Sequence, residues 1–139
     1  MRLHKRLSLQ QCLQQGIDAG LKYYRQDIRN LTEITHFGRL FHLDELKSVA
    51  ADDIRTSGYV IDTIEAVVYN LITTDDFETC LIQAVNMGGD SDTVGAIAGG
   101  LAGLYYGYEA IPDRWISKLQ RREYIGDLCN KANEVICQA

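Results

Sequence analysis

Two carboxylates and two hydroxyl groups fall within four consecutive residues of this chain, directly after a pair of glycines. The segment reads Asn-Met-Gly-Gly-Asp-Ser-Asp-Thr and covers residues 86–93. Asp90, Asp92 and Thr93 offer hard oxygen atoms, which are the ligands that Mg²⁺ and Mn²⁺ prefer. The two glycines allow a tight backbone turn and a close approach of the backbone to a ligand. The segment is therefore a candidate divalent-cation site.

A simpler interpretation of the same residues is a helix N-cap that follows a turn. Ser91 or Asp92 can accept hydrogen bonds from the free N–H groups of a new helix. A run of small residues follows, and the four-residue spacing of Gly95, Gly99 and Gly103 predicts close packing between helices. For an isolated Asp-x-Asp-Thr string the simple cap is the preferred interpretation, because such strings are common.

Composition limits the class of protein. A length of 139 residues fits one domain or part of one. The formal net charge of −5 argues against a nucleic-acid partner and against an anionic membrane surface. No run approaches the roughly 20 apolar residues of a membrane span. The 4 cysteines form no C-x-x-C pair, so we expect buried thiols in a reducing, cytoplasmic compartment rather than disulfides or zinc ligands.

Apolar residues recur with helical periodicity along most of the chain, and no segment alternates as a strand would. Ser8 and Gln11 fit a capping box for the first helix, and Asp75 with Glu78 fits another. The predicted helical segments are residues 8–24, 27–37, 44–47, 57–72, 75–85, 93–107 and 122–137, and Pro112 suits the first turn of a further short helix. The pattern predicts an all-α fold, a compact orthogonal helical bundle.

The longer string over residues 84–107 closely resembles the C-terminal signature of the ADP-ribosylglycohydrolase family, of dinitrogenase reductase-activating glycohydrolase type. Residues 57–63, Ser-Gly-Tyr-Val-Ile-Asp-Thr, resemble a helix opening of that family, and residues 111–115 resemble its Ile-Pro-x-x-Trp segment. The similarity extends from about Ser57 to Leu119. It implies the C-terminal part of the family's all-α fold, with residues 1–139 as a single, partial domain.

The resemblance implies a metal-dependent hydrolase that cleaves the glycosidic bond of ADP-ribosylated protein side chains or related ADP-ribose conjugates. The implied cofactor is Mg²⁺ or Mn²⁺, in a two-metal site of the complete enzyme. The implied metal ligands are Asp90, Asp92 and Thr93. The predicted substrate-binding residues are Tyr59, Gly88, Gly89 and Ser91. No catalytic acid or base is identified.

One departure from the family is apparent before Ser57. Neither the family's Gly-Asp-Ala-x-Gly-like opening nor its Thr-Asp-Asp-Thr metal motif occurs there. Three ligands from one turn do not complete two ions that each bind about six oxygens. We therefore expect either a half-enzyme, inactive alone and completed by an N-terminal partner chain or by self-association, or a catalytically inactive binding or structural module. A partial bundle also leaves an apolar face uncovered, which favours association.

Overall fold

The computed structural model describes residues 7–137 and contains α-helices, short 3₁₀ helices and loops, with no β-strand in that range. The α-helices are α1 (Leu9–Tyr24), α2 (Leu31–Ile34), α3 (Leu43–Lys47), α4 (Val60–Thr73), α5 (Phe77–Asn86), α6 (Ser91–Tyr106), α7 (Asp113–Ile116) and α8 (Arg122–Cys137). The 3₁₀ helices are Ile28–Asn30, Thr35–Phe41, Ala51–Asp53 and Tyr108–Ala110. The predicted all-α bundle is confirmed.

Helix α4 forms the centre of the bundle and packs against α1, α3, α5 and α6. All its residues from Ala66 to Ile72 are buried. The neighbouring helices add apolar side chains to the same core, namely Leu43, Leu46, Phe77, Cys80, Ala84, Val94, Ala98 and Ala102. Each buried Val, Leu or Phe side chain stabilises the fold by about 1.5–3 kcal/mol. This core fixes the position of α6 and hence of the acidic segment at its start.

The first helix begins as predicted. Ser8 Oγ accepts a hydrogen bond from the Gln11 backbone N–H at 3.2 Å, and Gln11 Oε1 accepts one from the Ser8 N–H at 2.9 Å. The apolar stripe of α1 lies partly buried against the core. The reciprocal capping box is confirmed.

The single helix predicted over residues 27–37 is wrong, because the structure breaks it into a 3₁₀ turn, the one-turn helix α2 and a second 3₁₀ segment. The Asp27 carboxylate accepts a hydrogen bond from the Arg29 backbone N–H at 2.9 Å, a local turn that competes with α-helix formation. Phe37, with φ −92° and ψ 16°, departs from helical geometry. In this segment, local hydrogen bonds and a kink therefore determine the backbone conformation, despite the helical spacing of its apolar residues.

The cap of α5 lies one residue later than predicted. Asp76, not Asp75, is the N-cap, and its carboxylate accepts a hydrogen bond from the Thr79 backbone N–H at 2.8 Å. Hydrogen bonds from Thr79 also lower the pKa of Asp76. Phe77, whose side chain is buried, is the first residue of α5, and Asp76 immediately precedes it.

The small residues of α6 pack against α5, as their spacing predicted. A Cβ atom on Gly95 would come within 3.0 Å of a Val85 methyl group, and one on Gly99 within 3.4 Å of a Leu81 methyl group. The two helices approach closely because these positions carry no side chain. No helix within the described range is long and apolar enough to cross a membrane.

The prediction that the thiols are buried holds for only one of the three described cysteine side chains. Cys80 is fully buried, whereas Cys12 and Cys129 are exposed, and none of the three forms a disulfide. The side chain of Cys137 lies outside the described residues. Cys129 belongs to α8, whose bounds match the prediction but whose described side chains are all exposed, so amphipathic spacing alone did not bury it.

Candidate functional site

A short turn, residues 88–93, connects α5 to α6 and is called here the acidic turn. Gly88 and Gly89 both lie in the left-handed region, with φ of +75° and +59°. An L-residue in this conformation costs roughly 1–2 kcal/mol, so the paired glycines are what allow the backbone to reverse here. The residue that follows them, Asp90, is the N-cap of α6.

The Asp90 carboxylate does not bond to a backbone N–H of the helix that it precedes. Its Oδ1 atom instead accepts a hydrogen bond from Thr93 Oγ1 at 2.9 Å. The prediction that Ser91 or Asp92 is the cap was wrong, because these are the first two residues of α6. Two of the three predicted metal ligands, Asp90 and Thr93, therefore hold adjacent oxygen atoms at the N-terminus of α6.

A second segment, residues 54–58, lies against the acidic turn and is called the bracing loop. The Asp90 backbone N–H donates to the Thr56 carbonyl at 2.9 Å. A Cβ atom on Gly89 would lie 2.3 Å from that carbonyl oxygen, and one on Gly58 would lie 3.1 Å from Asp90 Oδ2. Glycines on both segments thus permit a backbone contact that holds the Asp90 carboxylate in place.

The bracing loop is in turn fixed by a buried carboxylate in the first turn of α4, Asp62, which is only 8% exposed. Ser57 Oγ donates to Asp62 Oδ2 at 2.6 Å, and the Arg55 guanidinium donates to Oδ1 at 2.9 Å. The Ser57 hydrogen bond, aided by Arg55 and opposed by burial, lowers the pKa of Asp62. The ionised carboxylate therefore holds the loop that contacts Asp90.

Asp62 was not among the predicted site residues. An acidic residue three positions after the α4 N-cap is ordinarily explained by the favourable interaction of a negative charge with a helix N-terminus. The sequence signal for this role was the spacing of Asp62 from Ser57 and Arg55. Only the folded loop shows that both of these side chains turn back onto it.

The predicted substrate-binding residues lie around the same two segments. Tyr59 is the N-cap of α4, is 54% exposed, and directly follows the glycine that faces Asp90. Gly88 has open space where a side chain would project, and Ser91 is partly buried. The structure brings these residues to one region beside the acidic turn, and their roles toward substrate stay predictions.

The oxygen atoms present fit part of a Mg²⁺ or Mn²⁺ coordination shell. Asp90 and Thr93 hold neighbouring oxygens. Asp92 is exposed, and its carboxylate makes no hydrogen bond within the described chain. Across residues 7–137, no cluster of three or more His, Cys, Asp or Glu side chains is arranged to hold a metal. Because these cations take about six oxygens, the other ligands must come from outside this set.

One buried amide anchors the segment that leads into the acidic turn. Asn70 of α4 is fully buried, and its Nδ2 atom donates to the Ala66 carbonyl at 2.7 Å and to Met87 Sδ at 2.9 Å. Its Oδ1 atom has no hydrogen-bond partner in the described structure. Since Met87 immediately precedes the paired glycines, this contact ties the end of α5 to the central helix.

Comparison with known proteins agrees with this architecture. The family model for ADP-ribosylglycohydrolases matches residues 3–139. The ADP-ribosyl-[dinitrogen reductase] glycohydrolase of Rhodospirillum rubrum is 42% identical over 103 residues, which are 74% of this chain and 32% of that protein. The ADP-ribosylarginine hydrolase Tri1 of Serratia proteamaculans is 42% identical over 92 residues, 66% of this chain and 25% of that protein.

A more distant relative is the ADP-ribosylhydrolase ARH3 of Gallus gallus, 30% identical over 64 residues, which cover 46% of this chain and 17% of that protein. The chain thus spans about a third or less of the length of these relatives. The family match nevertheless covers almost all of its residues. The chain therefore belongs to the ADP-ribosylglycohydrolase family.

Proposed function

We propose that this chain provides part of the active site of a metal-dependent hydrolase that releases ADP-ribose from modified protein side chains or related conjugates. The observation that carries the proposal is the acidic turn, which is held by the bracing loop at the start of a helix that packs against the core. The names of the R. rubrum and S. proteamaculans relatives support an ADP-ribosyl substrate. The free thiols of the described cysteines suit a cytoplasmic location.

In this proposal, Asp90, Asp92 and Thr93 hold Mg²⁺ or Mn²⁺, as in one half of a two-metal site. Divalent ions there polarise sugar hydroxyls and lower the pKa of bound water. The contribution of this chain is to hold its oxygen atoms in place, since the Thr56 carbonyl and Gly58 restrict Asp90 from the other side. The remaining ligands, and therefore full activity, come from outside residues 7–137.

The test is Mn²⁺ binding to the full chain, followed by electron paramagnetic resonance of the free ion. We expect Asp92→Ala to weaken Mn²⁺ binding at least tenfold, about 1.4 kcal/mol. Asp75→Ala is the matched control, because Asp75 is also an exposed aspartate but lies outside the acidic turn. Equal Mn²⁺ affinity in the wild type and Asp92→Ala would remove the metal site from the proposal.

The second proposed role is a catalytically inactive module that keeps the fold and binds ADP-ribose conjugates. The observation that favours it is the lack, within residues 7–137, of any cluster of three or more acidic, His or Cys side chains arranged for a metal. An assay of ADP-ribose release from ADP-ribosylated arginine, with and without Mn²⁺, separates the two. Binding of the modified arginine without any turnover, even with the remaining ligands supplied in trans, would favour the inactive module.

A further inference from the structure

A cavity of about 640 Å³ lies between α8 and the segment that precedes it, and is called here the α8 cavity. Tyr108, Ile111 and Trp115 form much of its wall on the side of the helical core. Ile125 and Cys129 belong to the facing wall, which α8 provides. The volume lies within the range of roughly 300–1,000 Å³ that is typical of small-molecule sites, and such sites are lined mainly by aromatic and aliphatic side chains.

The α8 cavity is separate from the candidate cation site. Helix α6 begins at the acidic turn, and Tyr108 follows its last residue by two positions. The 16 residues of α6 span roughly 24 Å, so the two sites lie at opposite ends of this helix. No residue of the acidic turn or of the bracing loop lines the α8 cavity.

The polar groups of the α8 cavity lie in one row along α8. Arg122, Gly126 and Asn130 are spaced four residues apart and therefore share a side of the helix. Nothing lies within 4 Å of the Cβ position of Gly126, so the row is open between its two polar side chains. Within the described part of the chain, neither Arg122 nor Asn130 forms a side-chain hydrogen bond or an ion pair.

The charges around the α8 cavity favour an anion. Arg122 is the one charged residue among the described residues that line it. The neighbouring guanidinium of Arg114, which lies over the Trp115 ring, is already paired with Glu78. The acidic residues of α8 are Glu123, Asp127 and Glu134, and their spacing places them on the side of the helix away from Ile125 and Cys129. They therefore do not face the apolar wall that a bound molecule would contact.

We propose that the α8 cavity binds a small apolar carboxylate, of the kind represented by a free medium-chain fatty acid. The Arg122 guanidinium can hold the carboxylate through two parallel hydrogen bonds, and the Asn130 amide can donate another. The acyl chain then lies between Trp115 and Ile125, where it removes apolar surface from water. A nucleoside diphosphate fits less well, because several negative charges would meet one guanidinium and apolar walls.

The exposure of the apolar walls supports an occupant of this chemistry. Leu119, which also lines the α8 cavity, is 51% exposed, and Ile125 is 39% exposed. An acyl chain covers both side chains without any displacement of the core, since Ile111 and Trp115 already pack against the core from the other side. Binding therefore requires no unfolding of the helices that hold the acidic turn.

The experiment is titration of the full chain with decanoate at physiological ionic strength. Trp115 is the only tryptophan of the sequence, so its fluorescence reports on the α8 cavity alone. We expect a saturable change in emission with one decanoate per chain. Decanoate at about ten times its Kd should also slow the labelling of Cys129 by a thiol reagent roughly tenfold, while the labelling of Cys12, which lies outside the cavity, stays unchanged.

Two arginine variants test the role of the guanidinium. Arg122→Gln should weaken decanoate binding at least roughly tenfold. Arg121→Gln is the matched control, because it removes the same charge from the adjacent exposed residue, which does not line the cavity, and its affinity should stay within about twofold of the wild type. Decanol, which has the same chain without the carboxylate, should bind at least roughly tenfold more weakly than decanoate and should not respond to Arg122→Gln.

Any of three results would overturn the proposal. The first is the absence of a saturable change in Trp115 fluorescence, and the second is equal decanoate affinity in Arg122→Gln and Arg121→Gln. The third is a dimer in light scattering in which Cys129 is protected without decanoate, which would identify a second copy of the chain as the occupant. Circular dichroism checks that both variants fold. These measurements require neither a metal ion nor turnover, so their outcome is independent of the proposed hydrolase function.

Discussion

The contact between Gly89 and Thr56 makes a sharp prediction about the acidic turn. Gly89→Ala would place a Cβ atom 2.3 Å from the Thr56 carbonyl oxygen, a backbone atom that cannot rotate away. Gly88→Ala is a matched control, because Gly88 also has a positive φ, +75°, but nothing lies within 4 Å of its Cβ position. The pair separates the cost of the left-handed backbone from the cost of the close approach.

The expected losses of stability follow from the cost of the left-handed backbone and the cost of the close approach. A left-handed alanine costs roughly 1–2 kcal/mol, offset by about 0.4–1 kcal/mol from the stiffer unfolded chain, so Gly88→Ala should lower the free energy of unfolding by about 1 kcal/mol. In Gly89→Ala the Thr56 carbonyl must also move, which breaks its hydrogen bond from Asp90 and costs about 1–3 kcal/mol more. Gly89→Ala should therefore lose about 3 kcal/mol in total.

The assay is urea unfolding of the full chain followed by circular dichroism, with thermal unfolding as a second measurement. A difference of about 2 kcal/mol between the two variants corresponds to about 7 °C in Tm for a chain of this size. If the two alanine variants are equally stable, the bracing loop does not hold the acidic turn. Other contacts would then have to position the Asp90 carboxylate.

Two further predictions concern ionisable side chains. The pKa of Asp62 is lowered, chiefly by the hydrogen bond from Ser57, so its contribution to stability is present above the unfolded pKa of about 4 and is lost as the pH falls through the folded pKa. Asp62→Asn should therefore reduce the free energy of unfolding by about 2 kcal/mol at pH 7. Acid-unfolding curves in which the difference between variant and wild type does not shrink toward pH 2 would contradict this. Burial raises the pKa of the Cys80 thiol, so native protein treated with a thiol reagent at pH 8 should be labelled at Cys12 and Cys129 long before Cys80. Peptide mass mapping would show the order of labelling. The stability of the fold should also decrease above pH 9, because the thiol then ionises in the unfolded chain.

The amino-acid sequence was sufficient for the features that depend on local chemistry. Helical periodicity gave the all-α class, and Ser8 with Gln11 gave the capping box, because both involve residues only three or four positions apart. The Gly-Gly-Asp-x-Asp-Thr string was sufficient to locate the candidate site and its family resemblance. Local patterns were less reliable at element ends, where the cap of α5 lies one residue from the predicted position and the cap of α6 lies one or two residues from it.

The tertiary structure decided which distant residues meet. The contacts of Thr56 and Gly58 with the acidic turn cross about thirty residues of sequence, and nothing in either segment read alone specifies the other. Helical spacing likewise does not show which apolar side chains become buried. On α6, Val94 and Ala98 are buried, whereas Ile97 and Leu104 are exposed. Spacing shows that a helix has an apolar face, but burial requires a second surface of matching shape, and only the packed chain shows where that surface is present and where it is not.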